Sequence, residues 1–164
     1  MNSNLNTAME SNFDEEQIRK PEMHPSFRRK QVYILNCSVC GSIICRRGML
    51  AALLADERKE LFSTDTPDKC ALYTVEEENM TGDCRCVIKA VACMECGNTV
   101  GYHVFIPCIV CLRSCNNGHY WMLYSNSVIS SLRWNSEGDQ VVEWGSLPSF
   151  VDDISAIHLE ECER

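Results

Sequence analysis

Cys93-Met-Glu-Cys96-Gly97-Asn-Thr-Val-Gly101-Tyr102-His103-Val-Phe-Ile-Pro107-Cys108-Ile-Val-Cys111-Leu-Arg-Ser-Cys115-Asn-Asn117-Gly118-His119 is the stretch on which the chain turns. Cys93 and Cys96 have the spacing of a metal knuckle, a tight turn that aims two thiolates at one ion. Gly97 follows at once, where such a turn calls for a positive φ that a side chain would oppose. One knuckle supplies two ligands, and a tetrahedral structural zinc needs four. Cys37-Ser-Val-Cys40-Gly41 supplies the matching pair, with 52 residues between Cys40 and Cys93. The expectation is one structural Zn2+ held by Cys37, Cys40, Cys93 and Cys96. A thioredoxin-like redox role fits poorly, because a glycine directly after the second cysteine does not open a helix. Such an ion contributes roughly 10 kcal/mol or more to folding, as much as the net stability of an ordinary domain.

A second metal is expected around Cys108 and Cys111, and the sequence leaves its partners open. Cys115 and His119 complete one possible set, and Cys84 and Cys86 another. The two latter residues stand two apart and would share a face on a strand. Packing as small apolar groups competes with both. Pro107-Cys108-Ile-Val-Cys111 also matches half of the zinc deaminase signature, which requires an upstream His-x-Glu. Here His103 is followed by Val104 and Phe105, and the only His-x-Glu is His158-Leu159-Glu160, downstream. A four-cysteine zinc leaves no open position for water, so the expectation is a protein without enzymatic activity or catalytic residues.

The 164 residues suit one domain with tails. Twelve cysteines and a start lacking a basic, then apolar, leader point to a reducing compartment and to metal ligation. No long apolar run suggests a membrane span. The net charge of −8 is concentrated at the C-terminal end, where residues 135–164 hold eight carboxylates and only Arg164 as a base. That end would repel phosphates, so direct nucleic-acid binding is not expected.

Residues 1–30 read as a flexible polar tail, 31–147 as a zinc-binding β domain, and 148–164 as an acidic tail or short helix. Strands are expected over Val32–Leu35, Cys84–Ala92, Thr99–Pro107, His119–Tyr124 and Gln140–Trp144, with turns at Asn117-Gly118 and Asn135–Asp139. Gly48–Leu54 is compatible with a strand or a short helix, and Glu76-Glu77-Glu78 reads as an exposed loop. Trp144 admits two readings, a cap on the sheet core or an anchor for a partner.

The cysteine pairs and Gly101-Tyr102 resemble the yippee proteins and the drug-binding domain of cereblon. That resemblance implies a mainly β fold, a zinc-stapled β-tent of two antiparallel sheets pinned by one four-cysteine zinc site. Cereblon's ligand cage is built from three tryptophans, and Gly82, Ile88 and Tyr102 occupy the corresponding positions, so two aromatic walls are missing. Arg47-Gly48-Met49, Leu53-Leu54-Ala55-Asp56, Leu61-Phe62-Ser63-Thr64-Asp65, Gly101-Tyr102-His103-Val104 and Ser114-Cys115-Asn116-Asn117-Gly118-His119 are similar to the Ugene family, family with sequence similarity seventy-two. This second resemblance implies an adaptor that binds and antagonises nuclear uracil-DNA glycosylase and so weakens uracil excision repair. It implies ubiquitin-ligase machinery as a route to the enzyme's removal. It also implies cytoplasmic and nuclear localisation with a mitochondrial pool, and links to growth and reactive oxygen species. Trp144, in a matched Trp-Gly-x-Leu-Pro segment, is then the expected partner-binding residue.

Overall fold

A computed structural model describes residues 23–53, 56–68, 70–114, 117–150 and 153. Among the described residues eight strands follow in chain order: β1 (Tyr33–Cys37), β2 (Ile43–Leu53), β3 (Asp56–Thr64), β4 (Leu72–Met80), β5 (Val87–Cys93), β6 (Thr99–Ile106), β7 (Trp121–Tyr124) and β8 (Val128–Leu132). A one-turn helix α1 (Pro25–Arg28) precedes them, and α2 (Ile109–Arg113) lies between β6 and β7. All pairings are antiparallel, in the order β4-β5-β6-β7-β3-β2-β1-β8.

The sheet folds over along β2. Its first half pairs with β1, as Leu35↔Cys45 and Asn36↔Ile43, and its second half pairs with β3, as Met49↔Ser63 and Ala51↔Leu61. Gly48 lies at the changeover, where a Cβ would come within 3.1 Å of the Tyr33 carbonyl oxygen and 3.0 Å of the Leu35 side chain. Two sheets therefore share one long strand, β8-β1-β2 on one side and β2-β3-β7-β6-β5-β4 on the other. This is the mainly β, tent-like architecture expected from the sequence. Between the sheets lies a core of Leu35, Ile44, Phe62, Val91, Val100 and Leu123. These residues are β-branched, aromatic or leucine, the types that fill a pleated buried face.

Several local expectations are corrected. Glu76–Glu78 belong to β4, a strand on the sheet's margin whose exposed carboxylates discourage pairing with another chain. Cys84 and Cys86 precede β5 rather than lying in it, so a shared strand face does not bring them together. Gln140–Trp144 is not a full strand: it contributes the isolated bridges Trp134↔Val141 and Gln31↔Glu143 and ends in a 3-10 turn, Trp144–Ser146.

The packed unit also exceeds the expected 31–147. Met23 and Phe27 pack with Val32, Met49, Trp144, Val142 and Leu147 in a second core. Beyond residue 147, the buried Asp153 carboxylate accepts from Arg133 at 2.7 Å and from Arg47 at 2.9 Å. Apolar area and paired charge, not tail-like composition, decide where this domain stops. Leu54 and Ala55 lie outside the described residues, as do residues 1–22 and most of the segment after Phe150.

Candidate metal centres

The two knuckles are near copies of each other. In the first, the Cys37 N–H donates to the Ser42 carbonyl at 2.8 Å, and the Gly41 N–H to the Cys37 carbonyl at 2.9 Å. In the second, Cys93 donates to Asn98 at 2.9 Å and Gly97 to Cys93 at 2.9 Å. Gly41 and Gly97 have φ of +78° and +74°, the left-handed conformation that a side chain opposes. One knuckle closes β1 and the other closes β5, strands that belong to different sheets, so an ion between them joins the two slopes of the tent.

The four sulfurs lie within 4.8 Å of one another. Cys37 Sγ is 3.6 Å from Cys96 Sγ, and Cys40 Sγ is 3.7 Å from Cys93 Sγ. Tetrahedral zinc with thiolates at about 2.3 Å requires sulfur separations of about 3.8 Å, so the donor set fits Zn2+ in number, type and spacing. Outer groups cross between the knuckles. The Ser42 hydroxyl is 3.4 Å from Cys93 Sγ, while the Asn98 amide donates weakly to Cys37 Sγ at 3.9 Å. Each such residue directly follows the glycine of its own knuckle and steadies a sulfur of the other.

The electrostatics also call for a cation. Burial pushes the Cys37 thiol up, yet hydrogen bonds from the Cys40 and Val39 backbone outweigh it and its pKa is lowered. The Ser42 hydroxyl lowers Cys40. Cys96 goes the other way: although the Asn98 backbone would lower it, burial and the three neighbouring sulfurs lift it to about 12. Four thiolates this close do not all ionise unless a positive ion compensates them.

A second tetrad comprises Cys84, Cys86, Cys108 and Cys111, again with all sulfurs within 4.8 Å. Of the two partner sets left open by the sequence, the structure brings in Cys84 and Cys86. His119 is elsewhere, buried at 5% exposure, with Nδ1 3.0 Å from the Ser63 hydroxyl. Cys115 lies outside the described residues. Zn2+ suits this second donor set as well.

Trp144, the expected partner-binding residue, is placed in the second core. It is 6% exposed, its Nε1–H faces the Gly48 carbonyl at 3.4 Å, and its ring lies 4.5 Å from that of His119. The Arg47 guanidinium sits over it at 5.6 Å. Arg47 is itself buried and donates two parallel bonds to Asp65, at 3.1 and 2.8 Å, and a third to Asp153. No spacing in the sequence marks this network, because its members are far apart in the chain.

Fold and ligand geometry together define a zinc-stapled β-tent domain. The family description "Yippee homolog 2 zinc finger protein" matches residues 24–164, and the chain belongs to that yippee-like family. Among solved structures it is similar to the Mis18 "Yippee-like" domain, at 14% identity and a TM-score of 0.49, over 64% of this chain and all of that one.

Proposed function

We propose that this chain is a non-enzymatic protein-interaction module of yippee type, and that the protein it holds is a uracil-DNA glycosylase, whose level or activity it lowers. The observation that carries the interaction reading is an exposed apolar region at one end of the sheet. Met80 pairs with Val87 and Val87 with Ile106, which places Met80 and Ile106 in one cross-strand row. Phe105, Ile109, Val110 and Leu112 follow, with Val110 at 72% exposure. Solvent-facing apolar groups gathered in this way mark recognition surfaces. The choice of partner rests on the likeness of the Ser114–His119 and Trp144–Pro148 segments to the Ugene family. Trp144 itself lies inside the domain, in the core with Val32 and Met49, away from this exposed region. Action in the nucleus and cytoplasm follows from the same partner, and delivery to a ubiquitin ligase would lower the glycosylase's level.

The test is capture of purified uracil-DNA glycosylase on the zinc-loaded chain, with uracil excision assayed alongside. Wild type is expected to bind and reduce excision. Ile109→Asp/Val110→Asp, which changes only exposed side chains, should lose binding by tenfold or more at unchanged stability. Absence of binding by wild type at micromolar concentrations would refute the partner. A second reading, a small-molecule receptor, draws on a cavity of about 710 Å³ lined by Gly82, Ile88 and Tyr102, a volume in the range of ligand sites.

A further inference from the structure

We propose that Cys84, Cys86, Cys108 and Cys111 form a second metal centre, filled and emptied independently of the first, whose ion holds α2 in place and with it one wall of the cavity. The reason begins with α2 itself. It is five residues long and buries none of them. Ile109, Val110 and Leu112 are all exposed, so apolar packing does not explain its position. Its own hydrogen bonds do not suffice either, since a helix of one turn is far below the length that persists alone in water.

Among the described residues, sulfur gathers at its base. The Cys108 N–H donates to Cys86 Sγ at 3.2 Å, and the Cys111 N–H to Cys108 Sγ at 3.5 Å. The Thr81 hydroxyl lies 2.9 Å from Cys84 Sγ. Donors aimed at sulfurs are the outer partners that metal-bound thiolates acquire. Cysteines acting as small core residues would be buried, whereas Cys84, Cys108 and Cys111 are only partly so.

Independence follows from placement. Cys86 stands just before β5 and Cys93 ends it, so the two tetrads sit at opposite ends of one extended strand, roughly 20 Å apart at the rise of a strand. They have no ligand in common. Cys84, Cys86 and Cys111 line the cavity together with Val110 and Leu112. Loss of this ion would therefore free α2 and open that side, while the core between the sheets stays packed.

The full chain, produced with zinc, is expected to carry two zinc ions by native mass spectrometry. A stepwise chelator titration should remove one of them without loss of the strand signal in circular dichroism. In that state the Leu112 and Ser114 amides, which bond to the Cys108 and Val110 carbonyls, should lose hydrogen-exchange protection. Cys108→Ser/Cys111→Ser should bind one zinc and show the same loss. Three results would overturn the proposal: one zinc in wild type with the second tetrad open to iodoacetamide, α2 protected after the first ion leaves, or both ions leaving together with the sheet.

Discussion

Replacing Trp144 by arginine separates a structural role from a docking role, and the outcome can be sized from the packing. The indole is almost wholly enclosed, with the His119 ring and the Arg47 guanidinium both against it. Removing a buried tryptophan costs roughly 3–5 kcal/mol, and the lost cation–π contact adds about 1 kcal/mol. An arginine there also sets a second guanidinium beside Arg47, whose two carboxylate partners are already engaged. The expected loss is thus at least about 4 kcal/mol, a large share of a typical domain's net stability. In urea, with a slope of about 2 kcal/mol/M, the midpoint of the zinc-loaded protein should fall by about 2 M. Trp144→Phe, which keeps an aromatic ring, should lose less than half as much. Glycosylase capture by Trp144→Arg would fall along with the folded fraction. A Trp144→Arg protein that matched the wild-type midpoint yet failed to bind would refute the core placement and return Trp144 to the surface.

Other outcomes follow from the same geometry. At Gly101 a Cβ would stand 1.9 Å from the Met122 carbonyl oxygen, so Gly101→Ala must push β6 from β7 and should cost roughly 3 kcal/mol, read as a shift in the urea midpoint. Cys37→Ser/Cys40→Ser, or exhaustive chelation, should abolish the cooperative thermal transition by removing about 10 kcal/mol of ion-linked folding energy; a chelated chain that stayed folded would defeat the staple. Burial holds His119 near pKa 4, below its ordinary 6.5, so the unfolded chain takes up that proton first. Stability is complete above about pH 6.5 and falls by roughly 3 kcal/mol toward pH 4; His119→Gln should flatten that part of the wild-type profile, the zinc loss common to both proteins cancelling in the difference. Burial raises the Asp153 pKa, but the hydrogen bonds from Arg133 and Arg47 outweigh it and leave it lowered. Its contribution is therefore present above the ordinary carboxylate range and lost as pH falls below it, and Asp153→Asn should shrink the acid limb of the same titration.

The first metal centre was legible because its signal is local: Cys-x2-Cys-Gly forms its turn whatever surrounds it, and two such turns need each other to complete a tetrahedron. The β-prone run Val32–Leu35 likewise placed β1, the segment leaving the second knuckle placed β6, and alternation placed much of β5, since a half-buried strand repeats every two residues. The second tetrad was only half legible. Cys108 and Cys111 were marked by spacing, while their partners depended on the β4–β5 turn reaching α2, which is a matter of strand register. Trp144 and Arg47 show the other limit. In sequence a tryptophan near a Gly-Pro-punctuated exit reads equally as anchor or core, and no local pattern links Arg47 to the residues it pairs with. The fold decides both by bringing Asp65, Asp153 and His119 around them, pairing buried charge with charge across more than a hundred residues of chain. Ligand identity and strand alternation were thus properties of short segments. The domain's extent, the partners of Cys108 and Cys111 and the burial of Trp144 were settled by contacts that exist only in the closed fold.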